Sequence, residues 1–204
     1  MSIEFLVTSL VVVIIPGTGV IYTLSIGASR GFVASVAAAL GCTFGIVPAL
    51  TAAVAGLAVL LRGSLITFNV IKYLGVCYLL YMAWQLWKSG SDSIPEGDGA
   101  TASSAWRVIG KGVLLNVLNP KLAIFFLALL PQFVRPGDPD GWLYATFLGA
   151  VFMLITFAVF VVYGSLASLL HGRSAISGDR WKWLQRTFAA SFLVLAMMLG
   201  FSNK

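Results

Sequence analysis

Gly112-Val113-Leu114-Leu115-Asn116-Val117-Leu118-Asn119-Pro120-Lys121 places a proline and a lysine about half way along an apolar stretch that covers residues 108–134. A second breaker, Pro16-Gly17-Thr18-Gly19, lies near the middle of an earlier apolar stretch, residues 3–28. Proline removes a backbone donor and clashes with the turn before it, and glycine loosens the chain, so each motif frees amide and carbonyl groups inside apolar sequence. In hydrocarbon such groups are tolerated only when protein buries them or when they line a wet cavity. The two motifs therefore read as broken helices of a membrane protein.

The remainder of the chain supports a membrane setting. Hydrophobic residues make up 59%, charged residues 10%, and the mean hydropathy is +0.97, against roughly 25% charged in an ordinary soluble domain. Six apolar stretches, at 3–28, 32–61, 65–87, 108–134, 142–170 and 183–201, each approach or exceed the roughly 20 residues a helix needs to cross a bilayer. The first, second and fifth are long enough to tilt or break. The opening run lacks a basic leader, carries Glu4 and shows no small-residue cleavage site before Pro16, so it is expected to stay as the first span. The longest polar segment, about residues 89–107 with Asp92, Pro95, Glu96, Gly97, Asp98 and Gly99, reads as a flexible linker. It divides a single transmembrane domain, residues 1–204, into a repeat at 1–88 and another at 108–204.

The net charge of +6 is a matter of topology and does not point to nucleic acid. The first, third and fifth connections hold eight cations: Arg30, Lys88, Arg107, Lys111, Arg173, Arg180, Lys182 and Arg186. Opposite them stand four, Arg62, Lys72, Arg135 and Lys204. The bias places the odd connections in the cytoplasm and both termini outside it. Trp84, Trp87, Trp106, Trp142, Trp181 and Trp183 lie at or near span ends, the headgroup position that amphipathic rings prefer.

With this topology the first span runs inward and the fourth outward, so breaks at matching positions imply two inverted three-helix repeats. A weaker correspondence agrees: Lys72-Tyr73-Leu74-Gly75 followed by Tyr78-Leu79 in span three matches Arg186-Thr187-Phe188-Ala189 followed by Phe192-Leu193 in span six. Discontinuous helices meeting at the midplane recur in secondary transporters, where half-helix amino ends meet anionic groups. Asn119 suits a cap, Pro120 the first helical position, and Thr18 a cap for the half-helix after Pro16 and Gly17. That arrangement suits a carboxylate.

Lys121 is the one charge predicted deep within a span, and such residues are functional candidates by default. It either pairs with a solute carboxylate or clamps carbonyls freed by the break. Asn116, one turn before Pro120, either faces the same cavity or bonds between helices. Tyr78 is the tyrosine best placed to reach a central cavity, with packing as the plainer role. Gly41 and Gly45 form a small-xxx-small pattern for close packing within or between subunits, which allows a homo-oligomer, and Gly75 is grouped with them. The lone histidine, His171, falls in a basic connection, and Cys42 and Cys77 read as packing residues. No metal site, cofactor or hydrolase constellation is read from these residues.

The chain resembles the LysE/RhtB family of amino-acid exporters. The likeness rests on Pro16-Gly17 with Gly19, Ser29-Arg30-Gly31, the run from Ala39-Leu40-Gly41 to Gly45, Lys72-Tyr73-Leu74-Gly75 with Tyr78-Leu79-Leu80-Tyr81, and above all residues 112–121 continuing to Phe125-Phe126-Leu127 and Leu130-Pro131-Gln132-Phe133. The resemblance implies six helices in a bacterial inner membrane and efflux of amino acids or similar small metabolites, driven by the proton motive force. Two departures stand out. Pro16-Gly17-Thr18 replaces the common proline-glycine-proline, and Ile46-Val47-Pro48-Ala49 stands where many relatives carry a histidine or an acid. No Asp, Glu or His lies deep in a span, so no carboxylate proton relay is visible. A passive small-solute facilitator and a noncatalytic membrane scaffold are the alternative readings.

Overall fold

The computed structural model describes residues 1–15, 17–62, 104–119, 121–122, 125–135 and 138–169, together with single helical positions at 73, 77, 80, 81, 84, 190, 193 and 197. Pro16, Pro120, Gly75, Tyr78, His171, most of the predicted third and sixth spans and most of the linker lie outside the described residues. Among those described the chain is all-helical: α1 (Ile3–Ile14), α2 (Thr18–Arg30), α3 (Phe32–Phe44), α4 (Val47–Arg62), α5 (Ala105–Val117) and α6 (Gly141–Ser168).

Local sequence explains where these helices begin and end. The Ser2 hydroxyl accepts from the Phe5 amide at 3.2 Å, and Glu4 in the first turn opposes the positive helix end. Between α2 and α3 the chain turns at Gly31, whose φ of +81° an L side chain rarely adopts. The second apolar stretch is interrupted: α3 gives way to a turn at Gly45 and Ile46 before α4. Pro48 lacks the amide that would bond the Phe44 carbonyl, and the ladder resumes with the Leu50 amide donating to Ile46 at 3.0 Å. The fourth stretch is more irregular. α5 ends at Val117, a π-helical turn covers Phe125–Leu129, and a 3-10 turn covers Leu130–Phe133. Pro131 stands where the wide turn gives way to the tight one, since it has no amide to continue the ladder.

Among the described residues two helical runs, Phe32–Gly56 and Gly141–Ser168, are each long and apolar enough to cross a membrane. α1 and α2 make a third if they form one span bent by 54° at their break. α6 is apolar on every side, which suits a helix surrounded by protein and lipid. Its outward face carries Leu154 at 69% exposure, a surface that water would disfavour and hydrocarbon accepts.

α2 and α3 pack against each other, and each also packs on α5 and on α6. Glycine makes the α3–α5 crossing close: a side chain at Gly41 would run into the backbone of Ile109, and one at Gly112 would come within 2.9 Å of the Cys42 amide nitrogen. In a bilayer, where lipid tails are as apolar as leucine, such backbone approach supplies much of the association energy. A second layer of contacts is aromatic, with Phe125 stacked on Phe152 at 4.3 Å and Phe126 edge-on to both rings.

Candidate functional site

The break between α1 and α2 leaves a defined set of carbonyls. In an unbroken helix the Val12 carbonyl would accept from the residue at position 16, which is a proline and has no N–H. The Lys121 ammonium takes that role. Its Nζ donates to the Val12 carbonyl at 2.8 Å and to the Ile15 carbonyl at 2.7 Å, and the side chain is buried. The Tyr163 hydroxyl of α6 donates to the Ile14 carbonyl at 2.9 Å. Groups from distant parts of the chain thus satisfy the open end of α1, as buried backbone requires.

Asn119 and Asn116 hold the lysine in place. The Asn119 side-chain oxygen accepts from the Lys121 amide at 3.1 Å, the geometry of a helix cap, while its amide group donates to Asn116 Oδ1 at 3.2 Å. Asn116 in turn donates to the Cys42 carbonyl on α3 at 2.7 Å. Both carboxamides are buried. The chain of bonds fixes which end of each amide is oxygen and which is nitrogen. An ammonium has three donors; two are engaged, and among the described residues nothing takes the third.

These groups surround a small cavity. Gly17, Gly19, Asn116, Asn119 and Lys121 supply its polar and backbone wall, and Val12, Val13, Leu122, Phe152, Thr156 and Phe160 its apolar wall. The free space is about 10 Å³, room for one water at most. At Gly19 nothing larger fits, since a Cβ would stand 2.7 Å from Asn116 Oδ1 and 2.9 Å from the Phe160 ring, whereas a Cβ on Gly17 would be 3.3 Å from Lys121 Nζ, a tight contact that asks the lysine to give by a few tenths of an ångström.

Five of the sequence candidates thus meet at one point. Thr18 does not. Gly17 occupies the cap position of α2 without any side-chain cap bond, and the exposed Thr18 hydroxyl donates to the Leu115 carbonyl at 3.5 Å. A carbonyl within reach on α5 and the extended backbone of Gly17 account for the shift by one residue. Gly41 and Gly45 lie at the α3–α5 crossing, where a Cβ on Gly45 would come within 2.7 Å of Asn116 Cβ, so this packing also seats the carboxamide. Val12, Val13, Phe152, Thr156, Phe160 and Tyr163 escape the sequence reading. The usable signal is the spacing of Thr156 and Tyr163, seven residues apart and so on one face of the helix, within its apolar middle.

Comparison with known proteins gives a consistent result. The LysE type translocator family model matches residues 10–203. A homoserine/homoserine lactone efflux protein of Salmonella typhimurium is 28% identical over 197 residues, covering 96% of this chain and 94% of its own. An uncharacterized membrane protein of Vibrio cholerae is 29% identical over 198 residues, covering 97% and 95%. A leucine efflux protein of Klebsiella pneumoniae is 26% identical over 132 residues, covering 65% and 62%. No solved structure matches. Translocators of this family are inner-membrane proteins, and the apolar helices suit that setting. With a family match over nearly its whole length, the chain belongs to the LysE type translocator family and is a membrane transporter, not an enzyme.

Proposed function

We propose that this protein exports amino acids or similar small zwitterionic metabolites from the cytoplasm, as a secondary transporter driven by the proton motive force. The observation that carries the reading is the buried Lys121–Asn119–Asn116 cluster at the break between α1 and α2, whose third ammonium donor, taken by none of the described residues, suits a carboxylate. The facing wall of Val12, Val13, Leu122, Phe152 and Phe160, with the Thr156 hydroxyl, suits an uncharged side chain. The efflux activities in the relatives' names, for homoserine and for leucine, concern solutes of that description.

Six spans arranged as inverted repeats, residues 1–88 and 108–204 around the cytoplasmic linker at 89–107, complete the proposal, with both termini outside the cytoplasm. A free space of about 10 Å³ is too small for any amino acid, so the site must widen to take a solute, as rocking of two repeats in alternating access would allow.

Export from cells loaded with dipeptides, followed by mass spectrometry of the medium, tests the reading. Neutral amino acids are expected to accumulate outside cells that make the protein, and not outside cells that make the Lys121→Ala variant at equal abundance in the membrane. Accumulation equal to that of empty-vector cells across the panel refutes export. In loaded vesicles, a proton uncoupler is expected to abolish uphill movement; gradients built equally well without a proton gradient refute the coupling.

A further inference from the structure

Ser9 is an exception among the helix hydroxyls. Thr23, Thr43, Thr146, Thr156 and Ser165 each donate to the carbonyl four residues back, at 2.7–2.9 Å. Ser9 is fully buried on α1, yet among the described residues its Oγ has no hydrogen-bond partner. Its neighbours in sequence offer the same kind of carbonyl that satisfies the others, so an orphaned hydroxyl here requires an explanation.

Its position supplies one. Phe5, Ser9, Val12 and Val13 form the buried face of α1. At one end of this face Val12 and Val13 line the small cavity beside Lys121. At the other end Phe5 meets Phe133 edge-to-face, ring centres 5.2 Å apart. Phe133 lines a second pocket of about 640 Å³ at the protein surface, together with Glu4, Arg135 and Asp138. A rise of about 1.5 Å per residue puts Ser9 roughly 6 Å from Phe5 and roughly 5 Å from Val12 along the helix. Along α1 the unpartnered hydroxyl thus falls between the small cavity at Lys121 and the wide surface pocket, with the Phe5–Phe133 pair on its surface side.

We propose that the solute route between the Lys121 cavity and the surface pocket follows this face of α1, with the Ser9 hydroxyl as a solute contact and the Phe5–Phe133 pair as the barrier at its surface end. The inference rests on the export reading for the identity of the solute, a small amino acid with an uncharged side chain. A hydroxyl donates and accepts, so it can meet either the ammonium or the carboxylate of such a solute on an otherwise apolar path. Phe133 ends the irregular stretch that runs from the π turn through the 3-10 turn. Such backbone is a frequent companion of functional sites.

Cysteine accessibility tests the route without requiring transport. Ser9→Cys, in the full chain with Cys77→Ser, is treated with a membrane-impermeant methanethiosulfonate in right-side-out and inside-out vesicles, while Glu4→Cys reports the side on which the surface pocket opens. Ser9→Cys is expected to react slowly from the Glu4 side and about tenfold faster when Phe133→Ala is added, since the barrier sets how often the route opens. Ser9→Ala is expected to lower the export rate several-fold while keeping the parent's thermal midpoint. The proposal is overturned if Ser9→Cys stays unreactive with both Phe133→Ala and Phe5→Ala while Glu4→Cys reacts, or if it reacts only from the opposite side. The expected labelling in a protein that exports no amino acid leaves the route standing and refutes the export reading.

Discussion

Lys121 Nζ donates to the carbonyl of Val12, filling the helical bond that the nitrogen of Pro16 cannot make. A lysine 109 residues away thereby acts as the missing peptide hydrogen of a broken helix. Replacing it with methionine leaves the Val12 and Ile15 carbonyls without their donor, at about 1–3 kcal/mol for each buried group. The expected outcome is a lower thermal midpoint in detergent together with export at background. Lys121→Arg keeps donors for the carbonyls in a bulkier head and is expected to restore the midpoint further than the export. Equal recovery of both would show that the lysine is a clamp and nothing more.

Gly41 and Gly56 make a matched pair. A methyl at Gly41 collides with the Ile109 backbone, whereas one at Gly56 meets nothing within 4 Å. Gly41→Ala is expected to destabilise by about 1–3 kcal/mol through overpacking. Gly56→Ala is expected to stabilise by roughly 0.5–1 kcal/mol through helix propensity. Thermal unfolding of the two purified variants checks the opposite signs.

Gly45→Ala reaches the site indirectly. Its methyl would press on Asn116 Cβ and on the Val113 carbonyl, moving the carboxamide that bonds Asn119. Export is expected to fall through a higher KM, with the protein still inserted in the membrane. An unchanged KM would separate this crossing from the site.

Phe160→Leu removes the ring that lies against Gly19 at the cavity wall. The expected result is a shift in preference toward larger apolar side chains, by about tenfold in the ratio of kcat/KM values for phenylalanine and leucine. Competition between the two labelled amino acids in loaded vesicles measures it.

The site was legible in the sequence to the extent that it depended on backbone chemistry. Proline and glycine within apolar runs advertise a break, and Lys121 announces itself because a charge in hydrocarbon needs a partner. Which partner it takes was not legible, because the choice between a solute and the Val12 and Ile15 carbonyls depends on how α1 lies beside residues 119–122. Thr18 shows the limit of local rules: as a good capping residue one position from a proline-glycine pair it was read as the cap, yet its hydroxyl found the Leu115 carbonyl on α5. The apolar wall was equally silent, since Val12, Val13 and Phe160 look like any other apolar residue until α1 and α6 are brought together. Helix interruptions fared similarly. Pro48 and Pro131 mark where α-helical bonding fails, while the π turn at Phe125–Leu129, ahead of Pro131, contains no residue that specifies it.

The turn at Gly31 has a consequence for handedness. Its φ of +81° and ψ of −174° are close to the mirror image of ordinary extended backbone, and a Cβ there would meet nothing within 4 Å. Size is therefore not what restricts the position; chirality is. An L-alanine would bear the strain of a conformation meant for the other enantiomer, whereas a D-alanine introduced by semisynthesis would sit at ease and narrow the freedom of the unfolded chain. At the junction of α2 and α3, glycine serves as the nearest genetically encoded substitute for a right-handed building block.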